Sequence, residues 1–448
     1  MKTRKHISVV YQNRKIKSFY SFSTIFSNNI FLITEDGYTA CISKLEYTFL
    51  NLNIKSKKIL SSNWINCFFS PSELEDEIKI QPTFFLIELT NNCNLRCKYC
   101  FRGKHINKSI TYEKLDNILA SISNYVLKNK ILNFSIQPWG GEPMLEIDKI
   151  IHIREYFDNI DLHPTITCET NGVLLTKDNA KRFILNDIDF GISVDGVPEI
   201  HNFNRPLSNL NPSSNIIFTN INNFYNEYPN YKLSGITTNT ADSISRIKDN
   251  LYFLVEQLHF KNLKMNFVKN NPYISNEIDT FSPTQLSKFY KELYKNVKNI
   301  SKKYKDISEG NISVRIQNLL YRSSNDICNS HGCRGGRKMF AFDIDGNIYN
   351  CELIGDETQF LGTYKDDFIS IIEKSIKTNG YFKEKRNDEC KNCPYEYFCM
   401  GGCSSICLYE KTNTDSLTCA INKTIYPLII KDIISKSFFI NLNRRRKH

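Results

Sequence analysis

The sequence predicts an α/β protein built on a parallel sheet, and three observations predict it. Between residue 84 and about residue 305, apolar runs of strand length alternate with amphipathic stretches of helix length. Six such strand-helix units follow one another, which implies a parallel sheet with right-handed crossovers, either open or curled into a partial barrel. The flanking segments break the alternation, so they read as a small N-terminal α+β module and a cysteine-rich C-terminal region.

A chain of 448 residues can bury a large core and suggests two or three domains. Its 41% hydrophobic and 12% aromatic content excludes a disordered chain. No run approaches 18 apolar residues, and the basic opening lacks the apolar centre of a signal peptide, so no membrane partner is expected and the location reads as cytoplasmic. The net charge of +11 reads as a solvated basic surface plus the tail Asn-Arg-Arg-Arg-Lys-His at 443–448. No nucleic-acid motif accompanies it, and no nucleic acid is expected as a partner. Fifteen cysteines in a reducing compartment point to bound metal or redox chemistry rather than disulfides. Cys41, Cys67 and Cys168 are scattered and read as small buried hydrophobes; eleven others fall into two spaced sets.

In residues 1–80 the run IFLITEDGYTACIS (30–43) carries a turn at its Glu-Asp-Gly, and SKLEYTFLNL follows as a helix candidate. The strand candidates of the main body are 84–89, 133–139, 165–169, 190–194, 233–238 and 263–268. Between the first two, Leu115, Ile118, Leu119, Ile122 and Val126 keep the 3.6-residue period of a helix. Residues 244–260 behave similarly, and 283–305 form a long helix with a lysine-rich face. From 325 to 420 the periodicity lapses, and this region is expected to be held by metal more than by apolar burial. The last apolar run, TIYPLIIKDIISKSFFI, predicts a helix packed back on the body.

Chemistry in such sheets gathers at the C-terminal ends of the strands. Four loops with special residues fall there. Cys93, Cys97 and Cys100, spaced C-x3-C-x2-C, follow the first strand; Gly140, Gly141, Glu142 and Pro143 follow the second; Thr170, Asn171 and Gly172 the third; and Ser193 to Gly196 the fourth. Three thiolates at this spacing suit one corner of an iron-sulfur cubane with one iron left open, or a zinc site completed by a distant residue. Tyr99 and Phe101 could wall a flat ligand.

This order of motifs resembles the radical S-adenosylmethionine (SAM) superfamily. The resemblance implies a partial (β/α)6 TIM-like barrel over residues 81–310, with a [4Fe-4S] cluster on Cys93, Cys97 and Cys100 whose open iron is chelated by SAM. It also implies that residues 140–143 lie at the methionyl ammonium, with Tyr99, Phe101, Asn171, Ser193 and Asp195 near the rest of SAM. His201 and Arg205 match the usual continuation, the Arg reaching a carboxylate.

The second set comprises Cys328, Cys333, Cys351 after Gly346, then Cys390, Cys393, Cys399 and Cys403, and finally Cys419. It resembles the SPASM domain, here over residues 325–425, with residues 426–448 as a closing helix and basic tail. The resemblance implies two auxiliary [4Fe-4S] clusters, one on Cys328, Cys333, Cys351 and Cys403, the other on Cys390, Cys393, Cys399 and Cys419; a pair of zinc sites is the alternative. Cys407 is an extra cysteine that either replaces Cys419 as a ligand or has no role.

Residues 336–364 look like maturases of ribosomally made peptides. That likeness implies hydrogen abstraction from a precursor peptide, closure of a thioether or carbon-carbon crosslink, a leader segment bound by residues 1–80, and a low-potential electron donor such as flavodoxin or ferredoxin. The alternatives are a sulfatase-maturase-like oxidation of Cys or Ser to formylglycine, for which Glu352 stands where that family carries a basic Asp, and a non-catalytic iron-sulfur or zinc scaffold.

Overall fold

The computed structural model describes residues 1–7, 9–69, 80–103, 107–271, 273–324, 326–353, 359–384 and 388–435; the basic tail at 443–448 lies outside them. Six strands form near the N-terminus: β1 (Lys2–His6), β2 (Val10–Tyr11), β3 (Arg14–Lys15), β4 (Phe19–Ser23), β5 (Asn29–Thr34) and β6 (Thr39–Ser43). Four make an antiparallel sheet ordered β1-β4-β5-β6, while β2 and β3 pair separately. Helices Lys44–Asn51, Lys57–Leu60 and Asn63–Phe69 follow, the first opened by a capping box between Ser43 and Glu46.

Phe19, Ile30, Leu32, Ile42, Leu50, Ile65 and Phe68 form a core of the module's own. On the opposite sheet face Tyr20, Phe22, Phe31 and Ile33 join the main core. Burial on both faces explains why β5 reads as an unbroken apolar run rather than an alternating one.

The main sheet has ten strands. Eight are parallel, and six of these lie within two residues of the expected positions: β7 (Phe84–Thr90), β8 (Ser135–Gly140), β9 (Thr165–Thr170), β10 (Ile188–Ser193), β11 (Ser234–Asn239) and β12 (Asn262–Phe267). A two-residue β13 (Ser308–Glu309) extends one edge; β14 (Met339–Phe342), β15 (Asn347–Tyr349) and β16 (Phe360–Thr363) extend the other. The order is β13-β12-β11-β10-β9-β8-β7-β14-β15-β16, an α/β half-barrel with one wall supplied by the cysteine-rich region. β14 runs parallel to β7, pairing Met339 with Phe84 and Phe342 with Ile87.

This corrects the expectation that metal dominates residues 325–420. Phe340, Phe342, Ile348, Leu361, Phe368, Ile371, Tyr395 and Phe398 are buried in the same core as the barrel strands. The pairing partner of β14 lies some 250 residues earlier, so no local pattern announces it. The closing helix runs over Ser416–Ile434, so it begins near Cys419 rather than at 426. It lies along helix Pro283–Lys303, where Tyr294 donates to Asp432 at 2.8 Å, and against helix Gly310–Tyr321, where Arg315 donates to Asn422 at 2.7 Å.

Candidate active site

The cysteine loop leaves the end of β7 and is fixed by backbone before any side chain is considered. The Arg96 N–H donates to the Pro206 carbonyl at 2.8 Å, Lys98 to Asn204 at 2.9 Å, and Ser208 to Asn94 at 2.9 Å. With the antiparallel bridge between Leu95 and Leu207, residues 204–208 form a rail along the loop. Cys100 N–H closes a turn on Cys97 O at 3.1 Å.

Asp195, at the end of β10, is a hub. Its Oδ2 accepts from Tyr99 Oη at 2.6 Å and Asn204 Nδ2 at 3.1 Å, and its Oδ1 from Arg205 Nε and Thr238 N–H, both at 3.0 Å. Four donors fill a carboxylate's four acceptor sites, so Asp195 directs its hydrogen bonding inward and the carboxylate that Arg205 reaches is this one. The ring of Tyr99 lies 5.3 Å from the Arg205 guanidinium. His201 Nδ1 accepts the Asp195 N–H at 3.3 Å, and burial pushes its pKa down to about 4.

Glu142 is a second hub. It accepts from Thr170 Oγ1 at 2.7 Å, Asn171 N–H at 2.8 Å and Met144 N–H at 3.0 Å, tying the end of β8 to that of β9. Desolvation raises its pKa against these donors. A side chain on Gly140 would place Cβ 2.2 Å from Thr90 O, and one on Gly141 would place it 2.1 Å from Asn92 O. The paired glycines thus let the β8 end touch the backbone entering the cysteine loop. Pro143 opens the short 3-10 turn Pro143–Glu146. Asn171 donates to Asn94 Oδ1 at 2.7 Å and reaches Cys93 Sγ at 3.9 Å. Phe101 stacks on Trp139 with centroids 6.4 Å apart, and Arg102 pairs with Glu88 beneath them. Ser193 closes β10 on the same rim, half-buried.

Burial pushes the thiols of Cys93 and Cys97 up to about 12, and each thiol of the triad lies within the electrostatic reach of another. Burial outweighs the nearby Arg96 and Arg205 guanidiniums, so massed thiols of this kind suit a cationic iron core, which supplies the remaining charge that deprotonation needs. The second set gathers in two groups. Cys351 feels Cys333 and Cys403, and Cys328 feels Cys333. Cys399 feels Cys393 and Cys419, while the Cys393 N–H donates to Cys390 O at 2.9 Å. Cys407, buried in helix Ser404–Glu410, feels Cys403 and stands apart from the second group. Among the described residues no three His, Cys, Asp or Glu side chains stand grouped as they would around a single metal ion.

Sequence reasoning missed the interior of the half-barrel. On β9, Ile166 and Cys168 are buried in the core while Glu169, on the opposite face, is exposed. Lys264 on β12 pairs with Asp326 at 3.1 Å, and Glu169 feels Lys264, Glu352 and Arg205. A closed barrel fills such inward positions with Val, Ile and Leu; polar residues at alternate strand positions were the available signal. Lys269, just beyond β12, was missed too: its Nζ donates to Cys403 Sγ at 3.7 Å.

The comparisons with known proteins agree with this geometry. Residues 87–246 match the family model of the Radical SAM superfamily. The chain is 28% identical over 338 residues to the cysteine-type anaerobic sulfatase-maturating enzyme of Clostridium novyi (strain NT), covering 70% of this chain and 85% of that one. It is 23% identical over 357 residues to the radical SAM cyclopropyl synthase TigE of Paramaledivibacter caminithermalis, covering 71% and 66%. The fold matches native anSMEcpe with bound AdoMet and Cp18Cys peptide at a TM-score of 0.67, 21% identity, over 80% of this chain and 100% of that one. It also matches Streptococcus suis SuiB at 0.58, 16% identity, over 92% and 99%. The chain carries a radical SAM domain and, with it, the enzyme class of that superfamily. Among the described residues no helix is long and apolar enough to cross a membrane.

Proposed function

We propose that this radical SAM enzyme modifies a ribosomally made precursor peptide, closing a thioether or carbon-carbon crosslink. The observation that carries the reading is the placement of two thiol systems on one sheet: a hydrogen-bond-fixed triad in the loop after β7 and a second set joined to the same sheet through β14. Cys93, Cys97 and Cys100 hold a SAM-binding [4Fe-4S] cluster, and the eight cysteines of the second set hold two auxiliary ones. When bound and reduced by one electron, SAM on its cluster supplies a 5'-deoxyadenosyl radical that takes a hydrogen atom from the substrate.

The chain's own residues position and exclude. Tyr99, fixed by Asp195, and Phe101, stacked on Trp139, wall the loop; Gly140, Gly141 and Pro143 leave room at the β8 end; Asn171 and Ser193 offer polar groups on the same rim. Glu142 and Asp195 hold the strand ends. Crosslinking removes two hydrogens from the peptide: one leaves as the abstracted atom, the other as a proton to a carboxylate such as Glu352, and an auxiliary cluster held by the second cysteine set would be the acceptor for the surplus electron. A low-potential flavodoxin or ferredoxin supplies the initiating electron.

Residues 1–80 supply the leader site in this reading. Nine of the 24 large hydrophobic side chains exposed among the described residues fall in the first 60, including Phe26 at 92% and Ile25 at 77%, beside the basic strand β1. An acidic, amphipathic leader suits such a surface. The fold likeness to SuiB also extends over 92% of the chain, against 80% for anSMEcpe.

A second reading, oxidation of Cys or Ser to formylglycine, is favoured by the 28% identity to the Clostridium novyi enzyme. Anaerobic reconstitution, iron analysis and dithionite-driven SAM cleavage test the class: about twelve irons per chain are expected for three cubanes. Co-expression with short neighbouring reading frames then separates the readings by mass. Loss of two hydrogens with two residues joined on fragmentation supports crosslinking; loss of two hydrogens with sulfur exchanged for oxygen (from Cys), or loss of two hydrogens with a hydrazide-reactive aldehyde (from Ser), supports formylglycine.

A further inference from the structure

Lys269 stands two residues beyond the end of β12, where the barrel meets the cysteine-rich region. The preceding Val268 is anchored through its N–H to Asn239 O at 2.9 Å, and its side chain packs with Tyr99 and Cys97 of the rim loop. On the other side, Asn270 Nδ2 donates to Glu410 at 3.1 Å, in the helix that follows Cys403. The segment is therefore held from both sides, and its one ammonium is aimed at sulfur: Nζ lies 3.7 Å from Cys403 Sγ.

Its surroundings are unusual for a lysine. Besides Cys403, the groups within its electrostatic reach are Cys328, Cys351 and Glu352. Among the described residues it forms no ion pair with a carboxylate within 4.0 Å, whereas its neighbour Lys264 is matched by Asp326 at 3.1 Å. A part-buried ammonium with no carboxylate in contact needs another anion, and the group it touches is the Cys403 sulfur.

We propose that Lys269 is a positioning residue of the first auxiliary site, where its charge offsets that of the sulfur ligands and raises the site's reduction potential. The proposal rests on the reading above, in which Cys328, Cys333, Cys351 and Cys403 hold a [4Fe-4S] cluster. Four thiolates give such a site a net negative charge, and one-electron reduction adds another. A nearby cation with a hydrogen bond to sulfur stabilises the reduced form more than the oxidised one. Lys269 would thus make the site a better acceptor for the electron released when the crosslink closes, while Val268 on the same segment packs the SAM-binding loop.

The test uses the full chain carrying Cys93→Ala, Cys97→Ala and Cys100→Ala, so that only auxiliary clusters contribute. A mediated dithionite titration followed by electron paramagnetic resonance gives the midpoints. Lys269→Met should keep about eight irons yet shift one midpoint downward by at least tenfold in the one-electron equilibrium, about 59 mV; Lys269→Arg should restore it. An unchanged midpoint with iron retained overturns the proposal. If Lys269→Met loses about four irons, retention in Lys269→Arg supports the charge role and loss in both overturns it. A triple-cysteine background without iron overturns the two-cluster reading itself, and that failure is visible before Lys269 is touched.

Discussion

The rim loop at 91–103 and the cysteine-rich region at 326–420 both present massed thiols, but they are built in opposite ways. The first is laid against residues 204–208 by backbone bonds and pinned through Tyr99 to Asp195, so its shape is specified without any ligand. The second owes its sheet to apolar burial, but its cysteines sit on short pieces such as Asp388–Lys391, Glu396–Cys399 and Ser404–Glu410. Elements of four to seven residues do not hold helical form on their own. Metal should therefore be dispensable to the fold at the rim and indispensable around Cys390 to Cys419.

The largest effect on stability is expected where metal substitutes for local structure. Cys390→Ala with Cys393→Ala should leave mostly insoluble protein, because structural metal binding contributes on the order of 10 kcal/mol to folding; soluble yield and iron content check this, and a soluble variant with full iron would break the contrast. Asp195→Ala comes next, since it strands a buried guanidinium and the Tyr99 hydroxyl. Denaturant unfolding should show a loss of about 3–5 kcal/mol, and Tyr99→Phe about 1 kcal/mol.

An effect smaller than that of Asp195→Ala should appear with acid. His201 is held at about 4 in the fold against 6.5 unfolded, so the unfolded chain binds the extra proton between those values. Stability from this group is complete above pH 6.5 and is lost as pH falls toward 4, by at most about 3 kcal/mol. His201→Gln should flatten that part of the pH-stability curve. Smallest of all should be Cys93→Ala with Cys97→Ala and Cys100→Ala: SAM cleavage should vanish, yet far-ultraviolet circular dichroism and the melting midpoint should barely change. A collapse of that variant would show that the rail does not suffice.

The same contrast governs what could be read from the chain. The rim was legible because its parts are local: a strand, three cysteines within eight residues, a glycine pair. Six strand positions followed from apolar runs alone. Arg205 was expected only through the family resemblance, and Asn204, residues 206–208, Thr238 and Lys269 act on the site from distant segments and carry no pattern of their own. Strands β1 and β4 and the ladder β14 to β16 were invisible for a related reason. Met339–Phe342 is buried throughout, so it shows no alternation, and its partner is chosen by tertiary packing. Asp195 shows the limit from the other side: its Asp-Gly was conspicuous in the sequence, but the four donors that occupy it became visible only in three dimensions.

The pairing of β14 with β7 also bears on how the chain is made. β7 ends at Thr90, and its second neighbour in the sheet begins only at Met339. At about 5–20 residues per second of synthesis, the strand that leads into the cysteine loop waits roughly 12–50 seconds with one hydrogen-bonding edge bare. An unpaired apolar edge is a template for another chain. A ribosome-bound intermediate stalled near residue 310 should therefore be aggregation-prone, and slow translation across the connecting helices should lower the yield of folded enzyme.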